Sequence, residues 1–333
     1  MKLLPYPDIP MLISYHNKAF PFGIIEANSP EDITKWACTK CINCVYDPNS
    51  PQNKFDFALI DPWGNSERIM THQCFFIKKD LMALVNIDLI SMLKIFIDNG
   101  CYVQGEYNEK YIPVKKAYGK YDFNHDFLLI GYDDEYFYSV GFVSDSRFER
   151  FKIPIRNFVC SIYDSNSSRV RINFFSYNKG SIPKPDIGRM LSDLDKYIST
   201  VNYLNHPTPR DMSYGISTLI RIKEFFIDEV VNNQKLYVDK RYSRVLYEHE
   251  WIFTQVIDCF LDDKEKIVYI NHACENLNRA RLVHMLGLKL EYTQDAGLIY
   301  RIAEYIDEIF EDEKQYIPNL IALLKEKHEK NII

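Results

Sequence analysis

The chain has 333 residues, of which 47% are hydrophobic and 14% aromatic, with 12 glycines and a formal charge of −6. That length suffices for two domains with separate cores. The acidic balance and the lack of a basic block argue against nucleic acid as a partner, because phosphate binding needs clustered Lys and Arg. No apolar run reaches the ~20 residues of a membrane helix.

The N-terminal Met1-Lys2-Leu3-Leu4-Pro5-Tyr6-Pro7 lacks the apolar stretch of a signal peptide. A cytoplasmic protein with no membrane partner is expected, and its eight cysteines should then be thiols. Ser14-Tyr15-His16-Asn17 precedes an apolar stretch, and His16 taken alone reads as a loop histidine. Ser29-Pro30-Glu31-Asp32 supplies an N-cap, a proline at the first helical position and an acidic first turn. This predicts a helix through Trp36 to about Val45, stopped by Asp47-Pro48-Asn49.

Inside that helix lies Cys38-x-x-Cys41-x-x-Cys44, whose spacing resembles part of an iron–sulfur site. Pro48 stands where the next ligand would fall, and no flanking glycine lets the backbone wrap a cluster. The three thiols therefore read as one buried helix face. His72 and Cys74 do not supply a zinc-type pair spacing. Neither a metal nor a cofactor is expected.

Leu81 to Asp98 predicts a buried helix, capped by Asn99-Gly100, and Cys101-Tyr102-Val103 starts a strand. Tyr111-Ile112-Pro113 closes this region, and Lys115, Lys116 and Lys120 form a small basic loop. Next comes the most informative stretch. Asn124-His125-Asp126 opens an apolar strand that reaches Gly131-Tyr132-Asp133-Asp134-Glu135, and a second aromatic strand returns over Tyr136 to Phe142. This predicts an antiparallel hairpin with a histidine at its mouth, held firmly and only partly wet, as suits a general base.

Arg169 to Tyr177 reads as the last strand of a sheet. Asn178 to Pro185, with Gly, Ser and two prolines, marks the boundary between domains at 1–178 and 186–333. Helical periodicity then runs over Leu191 to Leu204, Tyr214 to Val231, Arg241 to Leu261, Ile267 to Leu286 and Leu298 to His328. Pro318 predicts that the last is kinked or split. Glu248-His249-Glu250 reads as a solvated or hydrogen-bonded patch. The fold class is α+β, a central antiparallel sheet followed by an all-α bundle. No P-loop, Gly-x-Gly-x-x-Gly or Gly-x-Ser-x-Gly motif occurs, so nucleotide and α/β-hydrolase readings lack support.

Ile97 to Val103, Tyr111-Ile112-Pro113 and Tyr121 to Glu135 together resemble the papain-like core of the C39-like cysteine peptidases. More closely, they resemble the butirosin-biosynthesis protein H N-terminal family of bacterial natural-product clusters. Ser213 to Ile216 and Arg241 to Trp251 are similar to the C-terminal halves of its relatives. The resemblance implies a papain-like fold in which a Cys attacks an acyl group, a His takes the thiol proton and an Asp or Asn orients the imidazole. It also implies acyl transfer or amide formation from carrier-protein thioesters in thiotemplated peptide or polyketide pathways. The partner would be an acyl or peptidyl carrier protein or a small acyl substrate, and a homo-oligomer is compatible.

Carried onto this chain, the base is His125. The family's nucleophile starts the first buried helix, where this sequence has Ser14-Tyr15-His16-Asn17 and no Cys. A relocated thiol is sought at Cys38, Cys41 or Cys74, with Cys41 preferred, and the orienting acid at Asp133 or Asp145. Tyr15, His16 and Tyr111 would line the substrate pocket. Two readings stand side by side: a thioester-acting enzyme, and a non-catalytic relative that keeps the groove to bind a carrier arm, a peptide or a protein.

Overall fold

A computed structural model describes residues 1–50, 53–59, 61–165, 167–202, 211–232 and 239–333. In chain order come β1 (Lys2–Leu3), α1 (His16–Asn28), α2 (Thr34–Cys38), β2 (Cys44–Tyr46), β3 (Phe55–Phe57) and β4 (Met70–Lys78). Then follow α3 (Lys79–Leu84), α4 (Leu89–Asp98), β5 (Tyr102–Asn108), β6 (Asn124–Tyr132), β7 (Tyr136–Phe142), β8 (Phe148–Pro154), α5 (Ile155–Tyr163) and β9 (Arg169–Tyr177). The remainder comprises α6 (Ile187–Ser199), β10 (Ser213–Tyr214), α7 (Ser217–Asn232), α8 (Lys240–Phe260), α9 (Asp263–Thr293) and α10 (Gly297–Glu329). The fold is α+β, with a central antiparallel sheet and a helical C-terminal region.

The chain divides into two compact units. The first holds Met1–Asp32 and Asp61–Pro183, the second Ile33–Ile60 and Lys184–Ile333. The second unit therefore takes a segment from the N-terminal half as well as everything after Pro183.

In the first unit the sheet runs β4-β9-β5-β6-β7-β8, every pairing antiparallel. β5 pairs with β6 only as far as Leu129, and β1 takes up the rest of that edge at Gly131 and Tyr132. The β6–β7 hairpin predicted around His125 is present, turned by Asp133, whose carboxylate accepts the backbone N–H groups of Glu135 and Tyr136. α5 packs through Phe158, whose ring meets Phe127 edge-on at 5.2 Å and Phe137 at 5.0 Å. α4 packs through Phe96, stacked on Phe174 at 3.7 Å.

The predicted helix over Leu81 to Asp98 is broken. α3 ends at Leu84 and α4 starts after Asp88, because the Asp88 carboxylate accepts the Ser91 N–H and so caps a new helix. The predicted helix from Ser29 to Val45 is shorter still. Ser29 instead closes α1, α2 spans only Thr34–Cys38, and Cys44 lies on a strand. Cys38, Cys41 and Cys44 are all buried, but they do not share a helix face.

The second unit is not all-α. It contains a three-stranded sheet in the order β10-β2-β3, so Ser213–Tyr214 extends before α7 begins. Gly215 makes that turn at φ +58, where a Cβ would sit 2.1 Å from the Tyr197 carbonyl oxygen. Short links join α8, α9 and α10 in succession, and α9 opens on a capping box between Asp262 and Glu265. α10 continues as one helix through Pro318. The predicted end of α6 at Leu204 lies outside the described residues. Among the described residues no helix is long and apolar enough to cross a membrane.

Phe158 is fully buried and closes the core beneath the β6–β7 hairpin. Truncating it to Ala is expected to destabilise the first unit by ~3–5 kcal/mol, because the cavity adds to the lost apolar burial. A urea midpoint unchanged from wild type would contradict this packing.

Candidate functional site

The register of β5 against β6 sets Tyr107 opposite His125 and Asn108 opposite Asn124. The chain then turns through a short 3-10 segment, Glu109–Tyr111. The fully buried Asn108 side chain holds that turn: Oδ1 accepts from the backbone N–H groups of Lys110 and Phe123, both at 3.1 Å. Its Nδ2 donates to Asp122 at 2.7 Å and to the Asp164 carbonyl at 3.3 Å. Glu109 is thereby fixed over the mouth of β6.

Glu109 Oε1 lies 2.9 Å from His125 Nδ1 and 3.4 Å from Lys115 Nζ. A carboxylate only accepts, so Nδ1 carries the proton and Nε2 of a neutral ring keeps its lone pair. Burial would push Glu109 up, but the hydrogen bond from His125 and the Lys115 ammonium together hold it below the usual carboxylate range. Burial lowers Lys115, and Glu109 opposes that shift. The Lys115 ammonium also donates to the Phe142 carbonyl.

His16 is the first residue of α1 and is 6% exposed. Its ring stacks on Phe20 at 4.6 Å, faces His125 at 4.7 Å and packs on Phe142 at 5.6 Å. Neither ring nitrogen has a hydrogen-bond partner. Gly141, at φ +148, makes room for it, since a Cβ there would stand 3.1 Å from Nε2. Burial, reinforced by the charges of His125 and Lys115, depresses His16 well below an ordinary imidazole.

Beside this pair lies a groove of about 370 Å³, walled by α1, β4, β5, β6, β9 and the turn after Asp61. Asp61 forms that turn by accepting the N–H groups of Asn65 and Ser66. Trp63 from the same turn stacks on Phe175 at 3.6 Å, and His72 covers Phe175 at 4.7 Å. His72 Nε2 meets Asn173 Oδ1 at 3.0 Å, and Asn173 Nδ2 donates to Gln104 at 2.6 Å. Because Asn173 uses its amide N–H on Gln104, its oxygen accepts, so His72 carries its proton on Nε2. Cross-strand neighbours Glu106 and Asp126 add two carboxylates to the lining. Burial raises Asp126, against the lowering influence of His125.

The proposed site residues are distributed unevenly. His16 and His125 come together, whereas Tyr15 is buried just before α1, with the Lys18 ammonium 5.4 Å from its ring centre. Tyr111 donates to Asp164 at 2.6 Å, a bond that pushes its hydroxyl up to about 12. The acid on His125 is Glu109 and neither of the aspartates expected. Asp133 sits past the far end of β6, some ~26 Å along the strand, and its carboxylate accepts from Tyr138. Asp145 pairs with Arg147 at 2.6 Å.

Cys41 belongs to the second unit and is buried in the turn after α2. In the first unit, Cys101 lies at the opposite end of β5 from Tyr107, ~20 Å along the strand. Cys74 is exposed on β4, opposite Asn173 and three strands from β6. Glu109, Trp63, Gln104 and Asn173 carried no site role in the sequence, and His72 was weighed only beside Cys74 as a zinc-type pair. The available clue to Glu109 was that the strand starting at Cys101 runs straight into it.

No family model matches this chain, and no curated protein is significantly similar to it.

In the folded chain His16 takes up a proton only at lower pH than in the unfolded chain. Below the unfolded-state value of about 6.5 the unfolded chain therefore binds more protons, and stability falls as the pH drops; above that value the contribution is complete. His16→Phe is expected to flatten the stability–pH slope between pH ~6.5 and ~5. Urea midpoints across that range measure it, and an unchanged slope would mean that His16 is not held neutral.

Proposed function

We propose that this protein is a non-catalytic relative of papain-like acyl-transfer proteins that uses its groove to bind an amide-bearing chain. The chain would be the pantetheine arm or peptidyl group presented by an acyl or peptidyl carrier protein. One observation carries this reading: the start of α1, where the resemblance puts the nucleophile, is His16, whose ring packs at a tilt against His125 with centroids 4.7 Å apart. A neutral, nearly buried imidazole there blocks the approach of an acyl carbon to the base. The groove lining suits recognition. Asn17, Gln104 and Asn173 offer amides to pair with amides, while Trp63 on Phe175 gives a flat apolar wall for methylene and methyl groups.

A second reading, acyl transfer or amide formation, is favoured by the arrangement around His72. Asn173 holds His72 Nε2, and Cys74 is the cross-strand partner of Asn173 on the same strand as His72. A Cys74 thiol, a His72 base and an Asn173 orienting amide have the residue types of a papain-like triad. His125, oriented by Glu109 with Nε2 unprotonated, is the other available base.

Both readings meet in one experiment with a pantetheine thioester, following thiol release and binding together. The binding reading expects no release above buffer, and ligand-induced NMR shifts at the tryptophan indole. It also expects ~10-fold weaker binding in Asn173→Ala, since about 1–2 kcal/mol of hydrogen bonding is lost. Thiol release that disappears in Cys74→Ala or His125→Ala would replace it with the enzyme, and the variant that abolishes release would identify the group responsible.

A further inference from the structure

Among the ionisable side chains buried in the second unit, three cluster together and have no role in the groove. His249 and Glu250 lie on α8 and Glu313 on α10, at 1%, 0% and 0% exposure. They occupy positions that helical periodicity reserves for the core. His249 stands three residues after Leu246 and four before Phe253, and Glu313 four from both Ile309 and Ile317, all four of these being fully buried. One donor atom from each of the three groups falls within 4.8 Å of the others.

The hydrogen bonds around them are directional. His249 Nε2 lies 2.9 Å from the Ile42 carbonyl oxygen, which can only accept, so Nε2 bears the hydrogen. In the neutral ring Nδ1 is then a lone pair, and it points at Glu250 Oε1, 3.3 Å away. Two acceptors facing each other repel unless a cation or a proton lies between them. Glu313 Oε2 accepts from the buried Tyr197 hydroxyl at 2.7 Å. Glu313 Oε1 and Glu250 Oε2 are buried and accept from no N–H or hydroxyl donor, and the two carboxylates stand close enough to share a proton. Two carboxylates facing each other this deep are costly unless their charge is neutralised.

We propose that His249 Nδ1 and the carboxylates of Glu250 and Glu313 bind one divalent transition-metal ion, zinc in the first instance. One imidazole and two carboxylates suit zinc, manganese or ferrous iron, whereas calcium and magnesium favour all-oxygen sites. The ion balances the two carboxylates, leaving the buried group neutral with an uncharged imidazole. Ile42 fixes the His249 tautomer and Tyr197 holds Glu313, the outer contacts that orient metal ligands. Supplied from two helices, the site ties α8 to α10 and acts as a structural staple.

Protons offer the same charge balance: an imidazolium on His249 and one proton shared by the two carboxylates. Metal and protons are separable in the full chain. The protein is unfolded in chelator and refolded with Zn(II), Mn(II) or Fe(II) alone, with Co(II) as the spectroscopic stand-in. The metal site predicts one ion per chain by mass spectrometry after gel filtration and a melting temperature ~5 °C higher than without metal. It also predicts visible Co(II) absorption bands.

Glu313→Gln and Glu250→Gln should each lose the ion, the bands and the metal-dependent rise. Wild-type protein that refolds without bound metal, its melting temperature indifferent to all four ions, would overturn the site and leave the protonated cluster. So would metal uptake that survives both substitutions, since the ion would then sit elsewhere. The wild-type comparison decides even if a variant fails to fold.

Discussion

Much of the first unit depends on the four hydrogen bonds of one buried amide, Asn108. A buried side chain with both donor and acceptor ends satisfied is rigid, and its loss would leave several backbone groups without partners. Asn108 joins the end of β5 to the segment entering β6 and to the Asp164 carbonyl just after α5. That junction sets Glu109 against His125 and, through Lys115, holds the Phe142 end of β7 against the same acid. The His16 position depends on it too, since Phe142 is one wall of its pocket.

The two units deal with buried charge differently. In the first, Glu109 has two cationic or donating partners and stays ionised, while His16 has none and stays neutral. The His125 edge is open enough for its side chain to be 37% exposed, so water shares in solvating the group. In the second, Glu250 and Glu313 face each other in a closed interior beside one imidazole, with the Tyr197 hydroxyl on Glu313 and the Cys44 thiol on His249. Ionic groups in such a place are retained for a specific partner more readily than for stability, because an apolar core of the same volume costs less.

The groove has a third character. Along β4, β9, β5 and β6 its face alternates in register, so His72, Asn173, Gln104 and the Glu106–Asp126 pair fall on one surface of the sheet. Aromatic rings close one end and amides form the floor.

Local pattern was enough for the β6–β7 hairpin, since apolar and aromatic strand-forming runs and a Gly-Tyr-Asp-Asp turn between them are properties of neighbouring residues. The same kind of evidence showed that the chain is α+β and that His125 stands at a strand mouth. It failed where two local signals competed. Ser29-Pro30 looks like a helix start, but tertiary packing ended α1 there and let the cysteine segment break into a short helix, a turn and a strand.

Local pattern also assigned Glu248-His249-Glu250 to a solvated or hydrogen-bonded surface, because charged residues are rarely buried. Composition and periodicity by themselves therefore determined the fold class, the hairpin and one histidine. The partners of that histidine, the packing of the His16 ring against it and the burial of His249, Glu250 and Glu313 were decided by tertiary structure alone. The reason is physical: each depends on strand register or helix packing between residues far apart in the chain, and periodicity says which face a residue takes but not what meets it there.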